Sequence, residues 1–254
     1  MTLAMGLTAR AVLAVAVSVS AASAQRCTVL HGVGGQDIRV EPHGANALRV
    51  RAVPSGLPFR DDLVSGLVAP SDGVVATGPC LEHALGGSDA RGPGSVTTNG
   101  NIRATLGTDG RFVFTRVADG KILLAERIPR VLAPTTTAPA LPGFYSLDLD
   151  FAAVEGERIY GLGQHKHGQL DNKGVGPIDL APRNTEILIP VAHSSEGYAF
   201  LFNLPSFGAV EYGTNSSMWH ADTVGGWTGA CVRACGGPGV QVRGCVRVRV
   251  CVHG

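Results

Sequence analysis

The chain has 254 residues and a mass of 26.2 kDa, enough for one large domain or two small ones with a proper hydrophobic core. Hydrophobic residues make up 44% and charged residues 16%, which excludes a disordered or polar-tail protein, and 35 glycines favour turn-rich β structure over helical bundles. A formal net charge of +1 gives no electrostatic reason to expect nucleic acid as a partner.

Residues 1–24 carry one positive charge, Arg10, then an apolar run from Ala11 to Val17 and the small-residue site Ala22-Ser23-Ala24. That order reads as a secretory signal peptide. The run is shorter than the ~18 residues needed to span a bilayer, so no membrane association is expected once the segment is removed. Secretion, or residence in the secretory-pathway lumen, implies an oxidising compartment in which Cys27 and Cys80 either pair or stay buried as thiols. Six cysteines leave the full pairing open.

From Asp37 onward the dominant period is two. Leu48, Val50 and Ala52 alternate with Arg49 and Arg51, as in a half-buried strand. Residues 101–106 and 111–117 flank Thr108-Asp109-Gly110, and Asp119-Gly120 precedes 121–126, so two Asp-Gly turns predict a three-stranded meander. Residues 135–143, rich in Thr and Pro, read as an extended surface connection. In 145–151 Tyr145, Leu147, Leu149 and Phe151 line one face, and Ser146, Asp148 and Asp150 the other. Residues 186–192, 197–204 and 207–212 add three more apolar segments. No window shows a helical stripe, so the fold class is all-β, a sandwich or barrel.

The densest stretch in unusual residues is 157–186. His165 and His167, two apart, would share one side of a strand, yet no third ligand follows at a metal spacing. No metal or other cofactor is expected. Gly161-Leu162-Gly163 is not a phosphate loop, because no helix pattern follows, and it reads instead as a tight backbone path. Arg, Asn, Thr, Gln and His together suit the recognition of neutral hydroxyls, as in a sugar.

Four segments then carry a family resemblance: Glu157-Arg158-Ile159-Tyr160-Gly161-Leu162-Gly163-Gln164-His165-Lys166-His167-Gly168, Ile178-Asp179-Leu180-Ala181-Pro182-Arg183-Asn184-Thr185-Glu186, Ser195-Glu196-Gly197-Tyr198-Ala199-Phe200-Leu201-Phe202-Asn203 and Trp219-His220-Ala221-Asp222. In this order they resemble the N-terminal domain of glycoside hydrolase family 31, nearest its bacterial-type α-xylosidase and α-glucosidase branch, over Asp37 to Asp222. The resemblance implies a galactose-mutarotase-like β-sandwich lying in front of a catalytic (β/α)₈ barrel. It also implies that a loop of the sandwich walls the pocket for the terminal sugar of an α-glucoside or α-xyloside. Arg183, Asn184 and Thr185 occupy the place where many members carry Arg-Asp-Thr, and Gln164, His165 and His167 accompany them. Asn184 in place of Asp removes a charge but adds a donor, which could alter sugar preference.

Family chemistry is retaining hydrolysis by two carboxylates on the barrel. Only residues 223–254 follow Asp222, against the roughly 200 or more that such a barrel needs, so the barrel is expected to be missing from this chain. Asp148 and Asp150 do not replace the missing pair; acids two apart on a strand read as a solvated face. No catalytic residue is therefore assigned.

The expected organisation is a signal peptide over 1–24, the sandwich over 25–224 and a tail of uncertain structure over 225–254. The tail holds Cys231, Cys235, Cys245 and Cys251 with four arginines and no Asp, Glu or Lys, and its cysteine spacing is a poor zinc signature. It reads as the product of a truncated or mis-assembled frame. Asn215-Ser216-Ser217 is the one N-x-S sequon, a candidate glycosylation site at Asn215. The function expected is that of a fragment of a retaining α-glycosidase, inactive alone, a carbohydrate-binding module meant to support a barrel. The alternative is a stand-alone secreted carbohydrate-binding sandwich.

Overall fold

A computed structural model describes residues 27–59, 80–84, 94, 96–135, 144–203, 206–225 and 228–234. The expected signal segment, most of the 135–143 connection and the tail beyond Ala234 lie outside the described residues.

In chain order the first half forms β1 (Thr28–Val33), β2 (Gln36–Pro42), β3 (Ala47–Pro54), β4 (Leu81–Ala84), β5 (Val96–Asn99), β6 (Ile102–Leu106), β7 (Phe112–Arg116), β8 (Ile122–Ala125) and β9 (Val131–Pro134). The second half forms β10 (Phe144–Ala152), β11 (Ile159–Gln164), β12 (Ile178–Asp179), β13 (Ile187–Ser194), β14 (Tyr198–Phe202), β15 (Gly208–Tyr212), β16 (Ser216–Gly225) and β17 (Thr228–Ala234). Among the described residues there is no helix, and so none long and apolar enough to cross a membrane.

One layer is an eight-stranded sheet in the order β11-β13-β14-β17-β3-β2-β1-β4. Facing it are the five-stranded sheet β12-β15-β16-β10-β9 and the four-stranded meander β5-β6-β7-β8. A single bridge between Glu126 and Phe151 stitches these two together. The interior is one hydrophobic cluster drawn from all three sheets. Its aromatic centre is Trp219, whose ring lies 5.0 Å from Phe200 and 5.2 Å from Phe202 across the layers, with Tyr212 edge-on at 6.0 Å. The chain is thus the all-β sandwich that its alternating pattern predicts. Leu147, Leu149 and Phe151 of β10 are buried, and both Asp-Gly turns join meander strands as expected.

Two features of the large sheet differ from the sequence reading. Arg51, expected on the solvated side of β3, is only 1% exposed. Its guanidinium pairs with Glu41 at 2.9 Å and lies over the Phe59 ring, so ionic and aromatic partners cover what would otherwise be a wet face. The second feature lies in the segment given an uncertain structure. Thr228–Ala234 runs as β17 in the middle of the eight-stranded sheet, paired with β3 from Thr228↔Ala52 to Arg233↔Ala47, and with β14 on its other side.

Cys27 and Cys80 are joined as a disulfide that ties the parallel edge strand β4 to β1. The bond spans 53 positions, for which chain entropy predicts stabilisation of about 4 kcal/mol. A Cys27→Ser/Cys80→Ser variant is expected to lose about 2–4 kcal/mol in urea unfolding, with the loss reproduced by reducing the parent protein. A reduced parent as stable as the oxidised one would show that β4 holds without its staple.

Candidate functional site

The two motif-rich segments meet at one end of the sandwich. β11 is the edge strand of the large sheet and pairs with β13 through Ile159↔Ser194, Tyr160↔His193 and Gly161↔Ala192. The register then jumps, and Gly163 faces Leu188, so β13 carries two extra residues opposite the glycines. Gly161, Leu162 and Gly163 all adopt positive φ, at 104°, 66° and 97°. A Cβ on Gly161 would lie 2.4 Å from the Val191 carbonyl oxygen, and one on Gly163 2.0 Å from that of Ile187. These glycines therefore permit the close backbone approach that the sequence suggested. Leu162, between them, accepts its left-handed backbone while its side chain is fully buried.

The second segment crosses between layers. Ile178 and Asp179 form β12 against β15 in the five-stranded sheet, and Leu180 N–H donates to the Gly208 carbonyl. The chain then turns through Arg183–Glu186, closed by an Arg183↔Glu186 bridge, and enters β13 in the other sheet. Thr185, at the apex of this turn, has φ of 71°. Leu162 and Thr185 are the non-glycine residues with positive φ among the described residues, one in each segment. A β-branched residue there is strained by about 1 kcal/mol or more. Thr185→Gly is accordingly expected to raise stability by about 1 kcal/mol in urea unfolding, since the turn keeps its shape and sheds the strain. A fall in stability would mean that the Thr185 side chain itself holds the turn.

The segments are tied together directly: Lys166 N–H donates to the Glu186 carboxylate at 3.1 Å, and Gln164 pairs with Ile187. This brings Gln164, His165 and His167 beside Arg183, Asn184 and Thr185. Gln164, Arg183, Asn184 and Thr185 are exposed, and the two histidines are half-buried. Arg183 is engaged by Asp179 in an ion pair on the surface. The histidines sit in a turn past the end of β11 rather than on a strand, and their rings stack with centroids 5.7 Å apart. His165 Nε2 lies 2.9 Å from the Leu162 carbonyl. His167 Nδ1 accepts from Gln169 N–H at 3.0 Å, which places the hydrogen of the neutral ring on Nε2. That Nε2 is buried with no partner among the described residues. Leu170, Ile187 and Phe207 are large apolar side chains exposed just past the two segments and just before β15.

Sequence reasoning gave no role to Glu157, which anchors the start of β11. Its buried carboxylate accepts hydrogen bonds from Tyr198 Oη at 2.8 Å and Ser194 Oγ, and meets Lys173 Nζ at 3.3 Å. Burial first, and then the Glu157 charge, push the Tyr198 hydroxyl well above its ordinary value, so it stays a donor. No local signal marks this hub, because its partners lie 16 to 41 residues away. Asp148 is half-buried beside His220 at 2.6 Å, but Asp150, read from the sequence as part of a solvated face, is buried and paired with Arg127 at 3.2 Å.

The fold defines the chain as an all-β sandwich with a polar, strained corner where two of its sheets meet. The chain is homologous to part of the glycoside hydrolase family 31 enzymes, and corresponds to their β-rich N-terminal region. It is 30% identical over 204 residues to an uncharacterized family 31 glucosidase of Pseudescherichia vulneris, covering 72% of this chain and 36% of that protein. It is 32% identical over 194 residues to alpha-xylosidase A of Aspergillus niger, covering 71% of this chain and 26% of that protein. Among solved structures, a xylosidase from Aspergillus niger superposes with a TM-score of 0.67 at 29% identity, over 82% of this chain and 30% of its own. A family 31 α-xylosidase from a soil metagenome, solved with xylose, gives 0.63 at 25% identity, over 83% of this chain and 32% of its own. The chain thus spans about a third of the length of the relatives it matches, or less. No family model matches the chain.

Proposed function

We propose that this sandwich supplies one wall of the sugar pocket in a secreted family 31 α-glycosidase acting on an α-xyloside or α-glucoside. Arg183, Asn184 and Thr185 form the rim, with Gln164, His165 and His167 behind them. The observation that carries this reading is the Lys166–Glu186 link, which fixes two otherwise separate polar segments into one corner. Strain at Leu162 and Thr185 supports it, since such strain persists where the surroundings over-determine a functional geometry. The exposed Leu170, Ile187 and Phe207 suit a surface that a barrel domain would cover. Among the described residues Asp148 and Asp150 are each engaged by a separate basic side chain, and the role proposed for the sandwich is to bind and to shape.

Purified chain is expected to leave p-nitrophenyl α-xyloside and α-glucoside intact. Turnover that follows the chain through repurification would overturn the reading. Joined to a family 31 barrel, the sandwich with Asn184→Asp is expected to shift the ratio of KM values between the two glycosides with little change in kcat. An unchanged ratio would remove Asn184 from the pocket wall.

A further inference from the structure

We infer that Asn215 carries an N-linked glycan, acquired before the five-stranded sheet closes. This rests on the secretory route proposed above. Asn215-Ser216-Ser217 is the single sequon in the chain, and in the fold it falls at the hairpin joining β15 to β16. The turn is closed by Gly213 N–H donating to the Ser216 carbonyl at 2.8 Å. Thr214 and Asn215 at its tip are exposed. The Asn215 carbonyl accepts from Ala153 N–H at 3.3 Å, and the residue is exposed. A glycan there would point into solvent and displace nothing.

The third sequon residue sets the timing. Ser217 is 5% exposed and lies within β16, paired with Phe151 on one side and Tyr212 on the other. The transfer machinery must reach the Ser217 hydroxyl as well as the Asn215 amide. Ser217 shares the core-facing side of β16 with Trp219, so its hydroxyl is sealed once the sandwich has packed and the folded protein is a poor acceptor. The competent form is the chain before β16 pairs. In the transfer, the Asn215 amide nitrogen bonds to C1 of the first sugar of a lipid-diphosphate-linked oligosaccharide. The C1–oxygen bond to the diphosphate breaks, the lipid diphosphate leaves with the electron pair, and one amide proton passes to a base.

The position leaves the candidate corner free. Leu180 and Gly208 mark that corner at the start of β15, and Asn215 lies past its other end, on the order of 13 Å away along a five-residue strand.

The test is expression of the full chain in a eukaryotic secretory host, once with its own first 24 residues and once with a proven leader in their place. With the proven leader, secreted protein is expected to show one endoglycosidase-sensitive mobility step. Asn215→Gln should abolish the step, and Ser217→Thr should keep or increase it. Secreted protein without the step overturns the inference and leaves the secretory reading intact. Failure of only the native leader to direct secretion overturns that reading, while the leader-swapped chain still decides Asn215. Cell-free translation fixes the timing. Microsomes present during synthesis should give the modified chain, and microsomes added after folding should not. Equal modification in both overturns the burial argument.

Discussion

Replacing Gly163 with alanine is expected to destabilise the protein by at least ~3 kcal/mol and to open the edge of the large sheet. The new Cβ would sit 2.0 Å from the Ile187 carbonyl oxygen and 2.9 Å from Ile189 N, both backbone atoms that cannot swing aside like a flexible side chain. Gly163 also has φ of 97°, a backbone that an L side chain strains to adopt. Relief requires β11 to part from β13, which carries the Lys166–Glu186 link and the Thr185 turn with it. Thermal unfolding should fall by roughly 6–12 °C for a domain of this size. Amide exchange should quicken in residues 159–164 and 187–192. Gly168→Ala is the internal control. Its φ is 71°, but nothing lies within 4 Å of the added methyl, so only the backbone cost of about 1 kcal/mol should appear. Equal losses in the two variants would show that conformation alone, and not the close approach to β13, sets the Gly163 requirement.

Arg130→Ala is expected to cost about 3–5 kcal/mol at neutral pH, because it strands a buried carboxylate. Arg130 and Glu126 are 5% and 7% exposed and pair at 3.0 Å. The guanidinium also donates to the Gly110 carbonyl and stands 4.8 Å over the Phe112 ring. Burial pushes the Glu126 carboxyl above its ordinary 4.5, against the pull of Arg130 and the Phe112 N–H. A carboxyl with a raised folded pKa favours the native state most below its unfolded value, and that advantage fades as pH rises through the folded value. Without Arg130 the carboxyl rises further. The deficit of the variant should therefore be greatest near pH 7 and shrink towards pH 4.5 in urea unfolding. Glu126→Gln combined with Arg130→Met should recover much of the loss at pH 7. A deficit independent of pH would show that lost packing on Phe112, and not the stranded charge, is responsible.

The legibility of this molecule followed the range of its interactions. β10 was readable because apolar and polar residues alternate along one strand, and the meander because Asp109-Gly110 and Asp119-Gly120 mark its turns locally. The candidate corner was readable as two lists of residues, yet not as one place. Its unity depends on Glu186 reaching Lys166 twenty positions back, which no spacing rule announces. Burial of Arg51 was hidden for the same reason: Glu41 and Phe59, which cover it, lie on other stretches of chain. β17 was the least visible element. Its sequence, Thr-Gly-Ala-Cys-Val-Arg-Ala, has little alternation, and its place is decided by the open edges of β3 and β14.

That strand has a kinetic consequence. In the eight-stranded sheet the block β4-β1-β2-β3 and the block β14-β13-β11 never hydrogen-bond to each other; β17 alone joins them. Its ladder sets Arg51 against Gly229, a loop enclosing most of the described chain, and such closure is entropically late and slow. Until it forms, two interior strands present bare N–H and C=O groups of the kind that recruit a second molecule. The rate-limiting act of folding is therefore expected to be the docking of one seven-residue strand. Its competitor is exchange of that strand between two copies of the chain, which should grow with protein concentration during refolding.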